Sequence, residues 1–279
     1  MQEKVLVLGA SGLVGSAVLQ MLLAHGHDAI GASREVRGDG WVRFDLLDAS
    51  THGPALAGVG TAMLISRPGD EEAHVHAAPL IDAMVAAGVR RIVDLSALGA
   101  EKRPEFSTRR VECLVEASGL EWVHVRPNFF GQMLAQPPLS TEIARQRTLS
   151  LPLGKAKIAY VDAHDVAAVL HRALTDPDLA GRAIALSGPE AVDHDDVARR
   201  ITACVGESVR YVDIPEAAAR MLLCQRGFPA PHVERVLQFY ALCRRGFCAA
   251  PDTEAARLLG RPLGTLDDVI AANRSAWLA

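Results

Sequence analysis

The chain has 279 residues, 49% of them hydrophobic and 22% charged, so it can bury a sizeable core and is not expected to be disordered. Its formal net charge is −4 and its basic residues are scattered, which argues against nucleic-acid binding because that interface needs clustered positive charge. No apolar run approaches the roughly 20 residues of a membrane-spanning helix, so no membrane partner is expected.

The five cysteines are odd in number and form no Cys-x-x-Cys pair; they are Cys113, Cys204, Cys224, Cys243 and Cys248. A predicted strand begins at residue 4, and no signal-peptide pattern precedes it. Together these features indicate reduced thiols, and we expect a cytoplasmic location.

A strand, a glycine turn and a helix open the chain. Val5 to Leu8 form a short apolar run, and Gly9, Gly12 and Gly15 follow at three-residue intervals before an apolar-periodic helix. In dinucleotide-binding folds the first glycine permits a tight turn, the second lets backbone N–H groups approach a pyrophosphate, and the third lets helix and strand pack closely. This context predicts dinucleotide binding at the positive end of the helix, the alternative being a turn with only a structural role.

The tip of the second predicted strand, residues 28–32, is followed by Ser33, Arg34 and Glu35. An acidic residue about 20 positions after the glycines usually binds the adenosine ribose of NAD, whereas an arginine there accommodates the 2′-phosphate of NADP. Arg34, with Ser33 as a second donor, therefore favours NADP(H). Glu35 is the opposing signal, because an inward carboxylate would repel the phosphate and bind ribose hydroxyls, so NAD(H) remains the alternative.

Short apolar segments alternate with helical segments as far as about residue 130. The further strands predicted in this part of the chain span residues 41–44, 62–66, 91–95 and 122–125. Such alternation predicts an α/β fold, a Rossmann-type doubly wound parallel sheet, in which ligands bind beyond the carboxyl ends of the strands.

Residues at these strand ends are the predicted cofactor ligands. They are Gly9, Ala10, Ser11, Gly12, Leu13, Val14, Ser33, Arg34, Asp45, Leu46, Ser66, Arg67, Ser96, Pro127, Asn128 and Phe129. Asp45 either contacts the adenine amino group or caps the following turn.

The pattern changes at about residue 131, where prolines interrupt the periodicity and a loop-rich stretch follows. We therefore assign residues 1–130 to a dinucleotide-binding Rossmann core and residues 131–279 to a substrate-side and C-terminal region. Strands near 158–161 and 183–186 are predicted to return to the core. The remainder forms a smaller, mostly helical lobe, whose apolar helices either wall a substrate pocket or form a homo-oligomer interface.

An acidic cluster, Asp193-His194-Asp195-Asp196, resembles a metal site but stands directly before a helix predicted at 197–205. Asp193 in that position fits a helix N-cap, and the neighbouring carboxylates favour the positive end of the helix. We therefore predict capping here and no metal.

Five sequence motifs are spread over nearly the whole chain. They are Gly9-Ala10-Ser11-Gly12-Leu13-Val14-Gly15, Arg126-Pro127-Asn128-Phe129-Phe130, Asp162-Ala163-His164-Asp165-Val166-Ala167, Leu186-Ser187-Gly188-Pro189-Glu190 and Leu259-Gly260-Arg261-Pro262. In conjunction they resemble the NmrA-like atypical short-chain dehydrogenase/reductases. The resemblance implies a Rossmann core with a smaller C-terminal substrate lobe and NAD(P)(H) as the ligand, but not one particular reaction.

The Tyr-x-x-x-Lys pair that supplies acid catalysis in the larger superfamily is absent. On the helix after the fifth strand, where the resemblance would place this pair, the sequence has Pro104 and Thr108. Alcohol–ketone interconversion by that pair is therefore not expected.

Two functions are compatible with this absence. The first is a reductase of a small substrate such as an iminium, a quinone or a conjugated enone, whose own electron demand drives hydride addition while water supplies the proton. Ser96 and Asn128 are then the catalytic candidates that bind the reacting group, unless Ser96 only caps a turn.

Phe129, Phe130 and Met133 are the candidates for the substrate pocket, unless the two phenylalanines belong to the core.

The second function is a regulator that senses NAD(P)(H) and binds a protein partner without turnover. The reductase is favoured because no charged patch indicates a protein partner.

Overall fold

The computed structural model of the protein describes residues 3–67, 69–252 and 254–278, and within these ranges seven strands form one parallel sheet. The described residues form nine strands in all, of which β7 and β9 lie outside this sheet. The strands are β1 (Lys4–Leu8), β2 (Ala29–Ser33), β3 (Trp41–Arg43), β4 (Val59–Ile65), β5 (Arg91–Leu95), β6 (Glu121–Pro127), β7 (Thr148–Leu151), β8 (Arg182–Leu186) and β9 (Arg210–Asp213). The order across the large sheet is β3-β2-β1-β4-β5-β6-β8.

This strand order is that of a doubly wound, Rossmann-type sheet. The chain builds outward from β1 through β2 and β3, and then returns to the other side of β1 with β4. The reversal between β1 and β4 is the topological switch point, where folds of this class bind ligands. The fold class predicted from the sequence is therefore confirmed.

The helices connect these strands and form most of the C-terminal part of the chain. They are α1 (Leu13–Ala24), α2 (His52–Ala55), α3 (Ala73–Ala86), α4 (Ser107–Ala117), α5 (Leu139–Gln146), α6 (Ala163–Thr175), α7 (His194–Val205), α8 (Glu216–Gln225), α9 (Ala230–Arg244), α10 (Glu254–Leu259) and α11 (Leu266–Ala272). No described helix combines the length and the apolar character that crossing a bilayer requires.

The chain divides into two compact units. The first comprises Met1–Pro127 and His164–Leu186, and the second comprises Asn128–Ala163 and Ser187–Ala279. Nearly all of α6 and the whole of β8 belong to the first unit, in which β8 pairs in parallel with β6. The first unit is therefore built from two separate stretches of the sequence.

Arg91 is a buried cation at the start of β5. Its guanidinium donates to the carbonyl oxygens of Ala173 at 3.2 Å, Asp176 at 2.7 Å and Pro177 at 3.2 Å. It also pairs with Glu121 at 2.8 Å. A buried charge needs such partners because it has lost its water, so Arg91 ties β5 to the end of α6.

A small parallel sheet of β7 and β9 lies in the second unit, with Thr148 beside Arg210 and Leu151 beside Asp213. The stretch that contains β7 was predicted to be rich in loops. Strands of four residues give too short a pattern for hydrophobic periodicity to reveal them.

The segment 158–161, predicted as a strand of the core, forms only two isolated bridges. Val161 pairs with Phe130 and Ile158 pairs with Val192, all within the second unit. The prediction of a core strand is wrong here, because a four-residue apolar run also suits a buried irregular segment, which this one is.

The helix α7 begins at His194, three residues before the predicted start. The Asp193 carboxylate accepts the Asp196 N–H at 2.9 Å and acts as the N-cap, which confirms the predicted cap. His194, the first residue of α7, is fully buried, and its Nε2 lies 2.8 Å from the Tyr160 hydroxyl. Burial lowers the pKa of His194 from 6.5 to about 4.

The free energy of unfolding should fall as the pH is lowered from 6.5 to about 4. The unfolded chain takes up a proton on His194 below pH 6.5, whereas the folded protein takes it up only near pH 4, so the unfolded state gains stability in between. This one group contributes a slope of at most about 1.4 kcal/mol per pH unit. Urea unfolding at a series of pH values measures the slope.

The variant His194→Gln should show a shallower slope than the native chain. Some slope should remain, because burial also lowers the pKa of His171 to about 4. His164→Gln is the matched control, since it makes the same replacement at an exposed position. Equal slopes in the native chain and His194→Gln would contradict the prediction.

Candidate cofactor site and substrate-side residues

The glycine turn joins β1 to α1 in a compact loop. Gly9 has a φ of +64°, a left-handed conformation that favours glycine, and its carbonyl accepts the Gly12 N–H at 2.9 Å. Gly12 precedes α1 with extended backbone, and its own carbonyl accepts the Ser16 N–H at 3.0 Å. The first N–H groups of a helix have no acceptor within the helix, so this end of α1 suits an anion.

The closest packing in the turn is at Gly15. A Cβ atom on Gly15 would lie 2.3 Å from the Gly9 carbonyl oxygen, whereas one on Gly12 would lie 3.3 Å from the same oxygen. Real Cβ atoms essentially never approach within 3.0 Å, so only glycine fits at position 15 without a backbone shift. This contact holds the N-terminus of α1 against the end of β1.

The other predicted ligands of the turn fall into two groups. Ser11, Gly12 and Leu13 are exposed, and Leu13 leaves 44% of its surface open although it is apolar. Ala10 and Val14 are buried in the core. The exposed residues can contact a ligand, while the buried pair fixes the backbone of the loop.

The tip of β2 lies beside the glycine turn, where the Ala10 N–H donates to the Ala32 carbonyl oxygen at 3.4 Å. Ser33 ends β2, and its hydroxyl donates to the Glu35 carbonyl oxygen. Arg34 and Glu35 are both exposed. Arg34 favours NADP(H) and Glu35 favours NAD(H), and both roles stay predictions.

Asp45 adopts the capping role that the sequence left open. Its carboxylate accepts the Leu47 N–H at 3.1 Å, and its backbone N–H donates to the Thr51 hydroxyl at 3.0 Å. Leu46 packs, partly buried, against the core of the first unit. A contact of Asp45 with adenine stays a prediction.

The parallel sheet brings several predicted ligands to one edge. Gly9, Ser66 and Ser96 follow the carboxyl ends of β1, β4 and β5, which are adjacent strands. Arg67 follows Ser66 and is exposed. Pro127 ends β6, and its carbonyl oxygen accepts the Leu98 N–H at 3.0 Å, which joins the ends of β5 and β6.

A buried carboxylate on α4 anchors a charged network beside β5 and β6. Both oxygens of Glu112, which has no exposed surface, accept from Arg126 at 2.8 and 2.9 Å, and Arg109 adds a bond of 2.8 Å. Burial opposes ionisation of Glu112, but the hydrogen bonds that it accepts hold its pKa below the ordinary value. The carboxylate is therefore charged and compensated by two guanidinium groups.

Asp94 and His124 extend this network as register neighbours on β5 and β6. The Asp94 Oδ2 and His124 Nδ1 atoms are 3.3 Å apart, and His124 Nε2 lies 3.5 Å from Glu116. Burial raises the pKa of Asp94. Ligand atoms of Asp94, Glu112 and His124 lie within 4.8 Å of one another, a spacing that suits a metal. Because guanidinium groups already bind both Glu112 oxygens, the geometry favours an ion-pair network, and the expectation of no metal stays a prediction.

This network was not predicted, although the sequence carries a signal for it. Asp94 and Ser96 stand at alternate positions along β5 and its end, as do His124 and Arg126 along β6. Alternate residues of a strand share one face of a sheet, so the four polar residues mark one face of the two strands.

Ser96 is buried, and its hydroxyl has no hydrogen-bond partner among the described residues. A hydroxyl can both donate and accept, so the group is free to bond a ligand in either sense. A catalytic role of Ser96 stays a prediction.

Asn128, the first residue of the second unit, joins three other segments of that unit. Its Nδ2 lies 3.1 Å from the Ala159 carbonyl oxygen, 3.2 Å from the Ser187 hydroxyl and 2.9 Å from the Cys248 carbonyl oxygen. Its Oδ1 accepts the Phe129 N–H at 2.9 Å. We call these contacts the Asn128 hub. Both N–H groups of the amide are engaged within the protein, so donation to a reacting group or to a cofactor stays a prediction.

The three predicted pocket residues follow Asn128 closely in the chain. Phe129 and Phe130 are half-buried, and Met133 is exposed. The Phe129 ring meets the ring of Phe239 edge to face, with centroids 6.4 Å apart. Their role as pocket walls, and that of Phe129 as a cofactor ligand, stay predictions.

A family model described as the NmrA-like family matches residues 1–246. This protein belongs to the NmrA-like family. The resemblance inferred from the glycine turn and the other motifs is therefore confirmed.

Two relatives cover nearly the whole of this NmrA-like chain. The NAD(P)H azoreductase of Xenophilus azovorans is 30% identical over 98% of this chain and 99% of the relative. The (4-alkanoyl-5-oxo-2,5-dihydrofuran-3-yl)methyl phosphate reductase of Streptomyces griseus subsp. griseus is 34% identical over the same shares of the two chains.

A solved structure has the same fold. The NADPH-dependent quinone oxidoreductase of Escherichia coli, in complex with NADPH, gives a TM-score of 0.85 at 21% identity. The match covers 96% of this chain and 99% of that one.

The variant Gly15→Ala should both destabilise this NmrA-like protein and weaken its binding of a dinucleotide. The added methyl group would push the Gly9 carbonyl away from α1, and overpacking of this kind costs about 1–3 kcal/mol. Urea unfolding measures the loss of stability, and titration with NADPH followed by nicotinamide fluorescence measures the loss of affinity.

Gly53→Ala is the matched control, because a Cβ atom on Gly53 would meet nothing within 4 Å. It should leave stability and affinity close to the native values. Native stability in Gly15→Ala would show that the turn tolerates a side chain at this position and would contradict the close packing.

Proposed function

We propose that this protein is an NADP(H)-dependent reductase of a small organic substrate. The observation that carries the proposal is the glycine turn, where only glycine fits at position 15 and the N-terminus of α1 opens beside the tip of β2. Two relatives of 30% and 34% identity that are named as reductases support it. A nicotinamide cofactor, when bound, supplies a hydride.

The cofactor preference rests on the tip of β2. Arg34 is exposed beside the glycine turn, where a guanidinium suits a 2′-phosphate, and the Escherichia coli relative in fold was solved with NADPH. Glu35 is the competing ligand for ribose hydroxyls, and NAD(H) is the alternative cofactor.

The substrate class follows from the absence of a Tyr-x-x-x-Lys acid. A substrate that accepts a hydride by its own electron demand needs orientation and a dry pocket more than a protein acid, and water can then protonate it. Quinones, iminium ions and conjugated enones meet this condition. The names of the two relatives extend the class to azo compounds and to 2,5-dihydrofuranones that carry an acyl group.

On this proposal a few side chains bind and orient the substrate. Ser96 forms a hydrogen bond to the reacting group, because its buried hydroxyl has no partner among the described residues. Phe129, Phe130 and Met133 supply apolar walls on the substrate side.

The proposal also covers location and assembly. The five free thiols suit a cytoplasmic protein. The apolar helices of the second unit suit a homo-oligomer interface.

Arg34→Ala should abolish a preference for NADPH over NADH. Charge-assisted hydrogen bonds to a phosphate are worth roughly 1.5–3 kcal/mol, which predicts a native preference on the order of 10- to 100-fold. Fluorescence titration of the native chain and the variant with each cofactor measures it.

Arg37→Ala is the matched control three residues further along, where the guanidinium stacks on Trp41. It should keep the native preference. Equal affinity for both cofactors in the native chain, unchanged in Arg34→Ala, would make Arg34 a surface charge and Glu35 the ribose ligand to test.

Purified protein should oxidise NADPH steadily in the presence of at least one acceptor from a panel of a quinone, an azo dye, an acyl dihydrofuranone and an iminium ion. Loss of nicotinamide absorbance measures the rate, with protein-free mixtures as the control. Failure of every acceptor, together with strong discrimination between NADPH and NADP⁺ in binding, would overturn the reductase and indicate a sensor.

A further inference from the structure

Two thiols meet inside the second unit, in a part of the molecule that the proposed reductase function does not use. The sulfur atoms of Cys243 and Cys248 are 3.4 Å apart, and the two residues retain only 0% and 2% of their surface. Cys243 lies in the last turn of α9, and the chain reverses at Gly246, whose φ is +81°, to bring Cys248 back.

The two thiols are chemically unequal. Either thiol can donate a hydrogen bond to the other. The contact lowers the pKa of the Cys248 thiol, while the same contact and burial raise the pKa of Cys243. The thiolate is the reactive form of cysteine, so Cys248 is the nucleophile of the pair and Cys243 lies in contact as the resolving thiol.

The backbone of Cys248 belongs to the Asn128 hub. Its carbonyl oxygen accepts the Asn128 side-chain N–H at 2.9 Å and the Ala159 backbone N–H at 2.8 Å. Ala159 in turn accepts the Gly188 N–H at 3.1 Å. A displacement of Cys248 therefore acts directly on hydrogen bonds that join three segments of the second unit.

We propose that the Cys243–Cys248 dithiol is a modification site at which a hydroperoxide forms an intrachain disulfide, and that this bond loosens the Asn128 hub. The Cys248 thiolate attacks a peroxide oxygen, which forms a sulfenic acid and releases water once the leaving oxygen is protonated. The Cys243 thiol then attacks the Cys248 sulfur, forms the disulfide and releases a second water. Two thiols and one hydrogen peroxide thus become one disulfide and two waters.

The required movement is small, yet large enough to affect the hub. A disulfide is about 2.05 Å long, so the sulfur atoms must approach by about 1.4 Å from their contact distance. Hydrogen bonds of this kind weaken beyond about 3.2 Å, so the part of this movement that the Cys248 backbone takes up weakens the bonds that its carbonyl accepts.

Entry of the oxidant requires a local opening, because both sulfur atoms are buried. The pair lies at the end of a helix next to a glycine turn, and helix ends open at a lower free energy than the interior of a sheet. The exposed Cys113 and Cys224 therefore react first, and they calibrate the dose of peroxide.

The test treats the full chain with hydrogen peroxide, blocks the remaining thiols and maps the peptides by mass spectrometry. A Cys243–Cys248 cross-link that dithiothreitol reverses is the expected result. Hydrogen exchange then compares the oxidised and reduced chains. Exchange at the Ala159 amide should rise roughly 3- to 10-fold on oxidation, the factor expected for one lost hydrogen bond, while amides of β1 and β5 stay unchanged.

Cys243→Ser removes the resolving thiol and should abolish both the cross-link and the change in exchange. Cys224→Ser is the matched control in an exposed position and should keep both. Because peptide mapping needs only the native chain, the test stands even where a variant fails to fold. Oxidation of Cys113 and Cys224 without the cross-link would overturn the modification site, and a cross-link with unchanged Ala159 exchange would overturn its effect on the hub.

The inference does not depend on the reductase. The cross-link and the exchange rates are measured without a substrate, so a protein that fails every acceptor can still form the disulfide, and an active reductase can fail to form it.

Discussion

The contact between Gly15 and the Gly9 carbonyl is the constraint on which the candidate cofactor site depends. A Cβ atom would lie 2.3 Å from that oxygen, so the helix axis can approach β1 this closely only without a side chain. Close approach aims the N–H groups of the first turn of α1 at the switch point of the sheet. The exposed tip of β2 then lies beside the same turn, and this neighbourhood is the basis of the role proposed for Arg34.

A charged network around Glu112 joins α4 to β6. Its carboxylate is fully buried and bound by two guanidinium groups, so it is fixed in place and unavailable as a proton donor. Breaking such a buried pair is costly because it leaves an uncompensated charge. The network therefore holds α4 and the end of β6 together in the first unit.

The parts of the structure that the sequence predicted well depend on local patterns. The glycine turn, β5 and the Asp193 cap of α7 each follow from a local signal, either hydrophobic periodicity or a turn or capping residue, and these signals lie within about 15 residues. The Asn128 hub could not be predicted, because its partners are residues 159, 187 and 248 and no pattern links such distant positions. The small β7–β9 sheet was missed for the same reason, since its two strands are short and far apart in the chain.

The first unit is built from two stretches of the sequence that are synthesised at different times. The guanidinium of Arg91 is buried, and three of its acceptors are carbonyl oxygens of residues 173, 176 and 177. A nascent chain that has reached residue 130 therefore lacks those acceptors of Arg91 and leaves β6 as an unpaired sheet edge. Residues 128–163 of the second unit leave the ribosome between the two stretches of the first unit. The first unit is therefore completed only after part of the second unit has been synthesised.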